Sequence, residues 1–301
     1  MMSDIAESIS KIPVKTINQV MDEAKWRKAL ENAPRGDTFR DLSTIIIIPT
    51  RGSQTEKGML NCKKCKTKNE YDSAVISGID YRFFQAFRNL IKPMNVPVLE
   101  IFVPGMEVGA AYSQTIEGIL SNPMLNKFKY VLTIEDDNLI PFISETQGPL
   151  MMLYDDIEKG FDVAGGLYWT KGTPSMPLIY GDPKENRKSA SGMFKVIFPS
   201  NKPLKKTWKE GQIVTGEWTP GDIVECNGMG MGFTLFKMEI FKDTRIKKPW
   251  FKTLNDHSKL GPRLYTQDLQ FFEKIKKAKY KVCVDSRVRL GHLDRKTGIV
   301  Y

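Results

Sequence analysis

The run Thr44-Ile-Ile-Ile-Ile-Pro49 constrains this chain more than any other feature. Four successive β-branched residues carry no polar face, so the segment is predicted to form a short strand buried on both sides. Strands of that kind occur in parallel sheets whose faces are covered by helices. Apolar stretches at 97–103, 130–134, 161–167 and 282–285 supply further strands. Helical patterns at 80–91, 109–120 and 268–278 fall between them. This alternation predicts an α/β fold with a mostly parallel sheet flanked by helices. A helical extension is expected over 1–43, with Ile17, Val20, Met21, Ala24 and Leu30 on one face of a helix stopped by Pro34-Arg35-Gly36. Residues 171–222, rich in Pro, Gly, Lys and Trp, are expected to form loops and short antiparallel strands beside the sheet.

Other classes are excluded on simple grounds. The four isoleucines are the longest aliphatic run, against the ~20 apolar residues of a membrane span. Asp4 and Glu7 stand where a secretory signal would be apolar, so a soluble cytoplasmic protein is expected. Four cysteines in 301 residues make no disulfide framework, and Cys62 and Cys65 lack the further ligands of a zinc site nearby in sequence. A reduced pair is expected there. The net charge of +10 is one-sided: residues 1–150 hold 18 basic and 18 acidic residues, and 151–301 hold 27 and 17. That asymmetry fits a polyanionic partner or, equally, a solubilising surface.

The strand at 130–134 runs straight into Glu135-Asp136-Asp137. Adjacent carboxylates repel, so an apolar strand ending in three of them calls for a positive partner. Strand alternation would turn Glu135 and Asp137 to one side and Asp136 to the other. Two same-side carboxylates suit a divalent cation that also grips phosphate oxygens, and a solvated acidic turn is the other reading.

Six pieces in order resemble the GT-A glycosyltransferases, particularly the compact, family-2-like enzymes of bacteriophage type. They are the strand ending Ile48-Pro49-Thr50-Arg51, the acidic element, Asp162-Val-Ala-Gly-Gly-Leu-Tyr168, Gly228-Met-Gly-Met-Gly-Phe233, Thr266-Gln267-Asp268-Leu269, and Val284-Asp285 with Leu290-Gly291-His292. The resemblance spans residues 44–292 and implies a Rossmann-like GT-A domain. Its nucleotide-sugar half would be 44–170, and its acceptor half 171–301. It implies Pro49, Thr50, Arg51, Asp136 and Gly230 around a UDP-sugar, and Mn2+ or Mg2+ on Glu135, Asp137 and His292. Aspartate is usual in the family where Glu135 stands. The family's general base opens a helix in a Glu-Asp pair; this chain has Gln267-Asp268, which makes Asp268 the candidate. Asp is also a favoured residue at helix starts without any catalytic role.

The acceptor is read from the basic half. Clusters at 202–209, 245–252 and 274–281 interleave lysine and arginine with Trp208, Trp250, Phe251 and Tyr280. Lysines suit phosphates, and exposed aromatics stack on bases or wedge into a duplex. Phage enzymes of the resembled kind include ones that glycosylate hydroxymethylated pyrimidines. The expectation is therefore transfer of glucose or a pentose such as arabinose to 5-hydroxymethylcytosine in double-stranded DNA. A polysaccharide, lipid-linked glycan or protein acceptor is the alternative, and an inactive nucleic-acid-binding module the third reading. Met229 and Met231 line a sugar pocket or simply pack.

Overall fold

A computed structural model describes residues 40–301 apart from 51–78, 95, 145–146, 185–193, 205–206, 253 and 257–262. The helix expected at 16–33, Arg51, Cys62, Cys65 and His257 lie outside the described residues. The chain divides into two compact units, Met1–Asp41 and Leu42–Tyr301, and every element below belongs to the second.

In chain order the elements are β1 (Thr44–Thr50), α1 (Tyr81–Phe87), β2 (Val98–Pro104), α2 (Val108–Ser121), β3 (Tyr130–Ile134), β4 (Asn138–Leu139) and α3 (Pro149–Glu158). There follow β5 (Val163–Leu167), β6 (Ile179–Tyr180), β7 (Ile213–Thr215), β8 (Ile223–Cys226), β9 (Gly228–Met229), β10 (Phe233–Lys237) and α4 (Glu239–Lys242). The series closes with β11 (Leu254–Asp256), β12 (Arg263–Tyr265), α5 (Gln267–Lys277), β13 (Val282–Arg289) and β14 (Gly291–His292). Eight strands form one sheet in the order β2-β1-β3-β10-β5-β13-β8-β7. β1, β2, β3, β5 and β13 run one way, and β10 passes antiparallel between β3 and β5. The sheet is mostly parallel, as the isoleucine strand implied, and β1 is buried at all seven positions.

Both faces are covered, and the alternation of side chains assigns each cover. Ile46, Ile48, Leu132, Ile134, Phe233 and Leu235 share a core with Phe83 and Phe87 of α1 and with Leu150, Leu153 and Ile157 of α3. On the other face Phe236 packs against Phe271 and Phe272 of α5. Fully burying an isoleucine or phenylalanine is worth about 1.5–3 kcal/mol, so these two layers supply most of the cohesion. Helix starts follow local chemistry. Asp80 caps α1 by accepting from Arg82 N at 2.9 Å, Glu107 caps α2 from Ala110 N at 2.8 Å, and Pro149 opens α3.

Four expectations are corrected. The helix predicted over 80–91 ends at Phe87. α3, a short helix with no side-chain cap, is additional to the predicted elements; it buries most of its residues and leaves Met151, Asp155 and Glu158 on its accessible side. β13 continues to Arg289 through an irregularity after Asp285, beyond the predicted 285. The segment 171–222 is not purely an antiparallel platform, because β7 joins the main sheet parallel to β8.

Behind the sheet, α3 and β13 bury a charge cluster. Asp156 and Asp285 are inaccessible, Lys159 Nζ donates to Asp156 Oδ1 at 2.9 Å, and Arg287 grips Asp285 through Nε and Nη2. Burial, and then the Asp285 charge, push the Asp156 carboxyl up to about 7. The folded protein therefore keeps a proton that the unfolded chain, titrating near 3.8, releases. Stability is expected to fall as pH rises through that window, by up to about 1.4 kcal/mol per pH unit. Asp156→Asn should flatten the fall. Urea denaturation of both proteins at about pH 5 and about pH 8 measures it, and an unchanged slope would remove Asp156 as its source.

Candidate functional site

β3 delivers the three carboxylates into a turn. Glu135 N donates to Gly232 O at 3.1 Å, and Asn138 N to Glu135 O at 3.0 Å. The strand stops at Ile134, so this turn, rather than strand alternation, sorts the side chains. Asp136 is buried and engaged by Arg295, whose Nη2 lies 2.9 Å from Oδ2 and donates to the Asp136 carbonyl at 2.7 Å. Asp137 turns elsewhere. Its Oδ2 accepts from Lys171 Nζ at 2.5 Å and lies 3.9 Å from His292 Nε2. Leu293 N donates to its carbonyl at 2.8 Å, tying the segment around β14 to the acidic turn.

Glu135 feels its neighbours. Burial, then the charges of Asp137 and Asp268, push its carboxyl up to about 8, while Lys171 pulls the other way. Asp268, the second residue of α5, accepts from Leu269 N at 2.9 Å. Burial raises its pKa despite that bond, which makes it a stronger proton acceptor than a free aspartate. Tyr112 and Tyr168 are buried beside the same charges, and burial first, then Glu135, drives both phenols upward.

His292 is held in one tautomer. Nδ1 lies 2.6 Å from the Trp169 carbonyl, which only accepts, so the ring proton sits on Nδ1 and Nε2 keeps its lone pair. Burial lowers the pKa and favours this neutral form. The ring packs edge-on against Tyr168 at 5.2 Å, and the Tyr168 hydroxyl accepts from Gly232 N at 2.9 Å.

The glycine-rich segment has a local purpose. A Cβ at Gly230 would collide with the Tyr168 hydroxyl, and one at Gly232 with the Asn138 amide. Met229 and Met231 are buried packing residues, which decides between their two sequence readings. Pro49 and Thr50 end β1, with the Thr50 carbonyl accepting from Gly105 N at 2.9 Å.

The residues present fit a divalent cation. A neutral imidazole with its proton anchored on a carbonyl is the arrangement that frees a nitrogen for a metal. At 3.9 Å, Nε2 and Asp137 Oδ2 are spaced as two ligands of one ion can be. Beside them Asn138 Oδ1 is buried with no hydrogen-bond partner, and its Nδ2 reaches Asp137 Oδ1 at 3.4 Å. Among the described residues no three His, Cys, Asp or Glu side chains are grouped so as to hold a metal ion, which corrects the expected set of Glu135, Asp137 and His292: only Asp137 and His292 come together. An open pair suits Mg2+ or Mn2+, which complete their shells with water and substrate phosphates. Lys171 and Arg295 were not anticipated. Their signals were slight: a lysine before Gly172-Thr173-Pro174 after a parallel strand, and an arginine three residues beyond His292.

The basic clusters look different once folded. Trp250 and Phe251 are buried among Phe241 and Phe271, so they have no free face for a base. Tyr280 gives its hydroxyl to Asp243 Oδ2 at 2.8 Å. Trp208 is half-buried and fixed by its Nε1 bond to Asp222 Oδ1 at 2.9 Å. It lines a cleft of about 580 Å³ with Glu210, Arg287 and Arg289. The charge remains outside: Lys247, Lys252 and Lys279 are exposed.

No protein-family model and no curated protein matches the chain. Among solved structures it is similar to A197 from STIV at 15% identity, covering 84% of this chain and 87% of that one, with a TM-score of 0.43. It is also similar to UDP-glucose pyrophosphorylase complexed with UDP-glucose, at 10% identity, 82% and 91% coverage and a TM-score of 0.37. A nucleoside-diphosphate-sugar pyrophosphorylase from Vibrio cholerae RC9 follows at 12% identity, 80% and 91% coverage and a TM-score of 0.33. Among the described residues no helix is long and apolar enough to cross a membrane.

The Asp136–Arg295 pair gives a direct prediction. Removing one partner of a buried ion pair strands the other, at a cost of about 3–5 kcal/mol. Arg295→Met should lower stability by roughly that amount in a urea titration, and Arg295→Met/Asp136→Asn should recover part of it. A loss under about 0.5 kcal/mol would mean that the pair is only a surface contact.

Proposed function

We propose that this protein is a cation-dependent glycosyltransferase that moves a hexose or pentose from a UDP-sugar to a hydroxyl acceptor, with inversion. The observation that carries it is the pairing of Asp137 with His292, whose Nε2 lies 3.9 Å from Asp137 Oδ2, on the turn at the carboxyl end of β3, with the charges of Glu135 and Asp268 felt at the same place. Ligands of open α/β sheets bind at such strand ends. Asp268 takes the acceptor hydroxyl's proton as that oxygen bonds to the anomeric carbon, and the departing UDP keeps the electrons of the broken bond. Burial keeps Asp268 basic enough for that task. Asp137 and His292 hold Mn2+ or Mg2+, which supplies neutralisation of the leaving diphosphate. Glu135 lies close enough to share the charge of that site and holds a proton more readily than an ordinary glutamate.

For the acceptor we propose 5-hydroxymethylcytosine in double-stranded DNA. Its support is the electrostatics: the whole excess of +10 lies in residues 151–301, with Lys247, Lys252 and Lys279 exposed on the surface. The aromatic wedges expected in sequence no longer support it, since Trp250 and Phe251 are interior. A polysaccharide, lipid-linked glycan or protein acceptor is the second reading, since exposed lysines serve equally as a solubilising surface.

The test is incubation of UDP-sugars and Mn2+ with duplex DNA containing hydroxymethylcytosine, followed by nucleoside mass spectrometry. One hexose or pentose added to that base is the expected result. Cation-dependent UDP release without a modified base would leave the transferase and move the acceptor to glycans. Absence of both signals would sink the enzyme reading. Asp268→Asn should lower transfer by about 10²–10⁴-fold while UDP-sugar affinity stays within a few-fold. Turnover like the native protein's would remove Asp268 as base.

A further inference from the structure

Among the described residues Lys171 is the one ammonium or guanidinium placed against Asp137, and the loop that carries it is tightly tied. The segment after β5 closes on itself: Thr170 N donates to Met176 O at 2.8 Å, Met176 N to Thr170 Oγ1 at 2.9 Å, and Ser175 Oγ to Thr170 O at 2.6 Å. Gly172 takes a φ of +103°, which lets the chain reverse directly after Lys171. Two residues earlier the Trp169 carbonyl anchors His292. One short loop therefore fixes the lone pair of the imidazole and places an ammonium on the carboxylate beside it.

The oxygen matters. Lys171 Nζ sits on Asp137 Oδ2, the same atom that lies 3.9 Å from His292 Nε2. An ammonium and a doubly charged cation on one largely buried carboxylate oxygen repel each other, so the two compete for it. Lys171 is about 29% exposed, and its four-carbon stem lets the ammonium swing away without moving the loop. A diphosphate bound to the incoming cation would give the freed ammonium a new partner.

Resting on the cation-dependent reading above, we propose that Lys171 is the resident counter-ion of the cation site: its ammonium holds Asp137 until a divalent cation displaces it, and then moves onto the diphosphate oxygens of the donor. Cation and nucleotide thereby bind cooperatively. Alone, the cation must expel the lysine into solvent; with UDP present, the lysine exchanges one anionic partner for another.

Mn2+ binding followed by the loss of its free-ion electron paramagnetic resonance signal, with and without UDP, tests this apart from turnover. Lys171→Met and Lys171→Gln should bind Mn2+ alone about tenfold more tightly than the native protein, since the competitor is gone. UDP should then tighten Mn2+ binding less in these variants than in the native protein. Lys171→Arg, which keeps the charge, should stay weak. Native Mn2+ binding as strong as, or stronger than, that of both neutral variants would overturn the counter-ion role and leave the cation site standing. No Mn2+ binding by any of the four proteins, even with UDP, would overturn the role and the cation site together.

Discussion

Like charges at the end of a buried strand are the constraint on which the rest of this structure depends. β3 is apolar and enclosed, yet it opens into Glu135, Asp136 and Asp137, where water is too scarce to screen three carboxylates. Each is handled differently. Arg295 closes Asp136 into an ion pair, Lys171 sits on Asp137, and Glu135 is left with its pKa raised to about 8. Only the middle carboxylate is fully committed to structure. The outer two keep a charge balance that a ligand can alter, which is what a binding site requires and a structural turn does not.

The groups that achieve this come from distant parts of the chain. Lys171 and the carbonyl that orients His292 belong to the loop after β5, and His292 and Arg295 to the segment after β13. That segment is stitched down by β14 pairing with β4 and by reciprocal backbone bonds between His292 and Tyr301. The central sheet brings them together, because β5 and β13 are parallel neighbours whose carboxyl ends lie on the same edge as that of β3. The antiparallel β10 between β3 and β5 carries the glycine segment up to the same edge. Gly230 and Gly232 there make room for Tyr168 and Asn138.

How much of this was legible in sequence follows from the range of the physics involved. β1 and β3 were readable residue by residue, since a β-branched or wholly apolar run specifies a buried strand without help from elsewhere. Glu135, Asp137, Asp268 and His292 were readable as candidates because unusual residues stand at element ends, and the fold brings Asp137 and His292 within 3.9 Å of each other. Lys171 and Arg295 were not, because a lysine in a loop is the commonest of surface residues until a partner 34 or 159 positions away is known. α3 escaped for another reason: it is short, no side chain caps its start, and its accessible stripe of Met151, Asp155 and Glu158 begins with an apolar residue while Asp156 is buried.

The aromatic residues of the basic half show the limit of local reading most clearly. Beside lysines in sequence, Trp250 and Phe251 suggest a surface for stacking on bases; in the fold they wedge between Phe241 and the buried side of α5. Their lysine neighbours still reach solvent, as Lys248 does while its ammonium lies 4.8 Å above the Trp250 ring. The two residue types therefore answer to different demands. The aromatics pin α5 against the sheet and so fix the helix start that carries Asp268, while the lysines set the field outside. A polyanion attracted by that field would meet a candidate base, Asp268, whose position is held by the interior and not by the surface that draws the partner in.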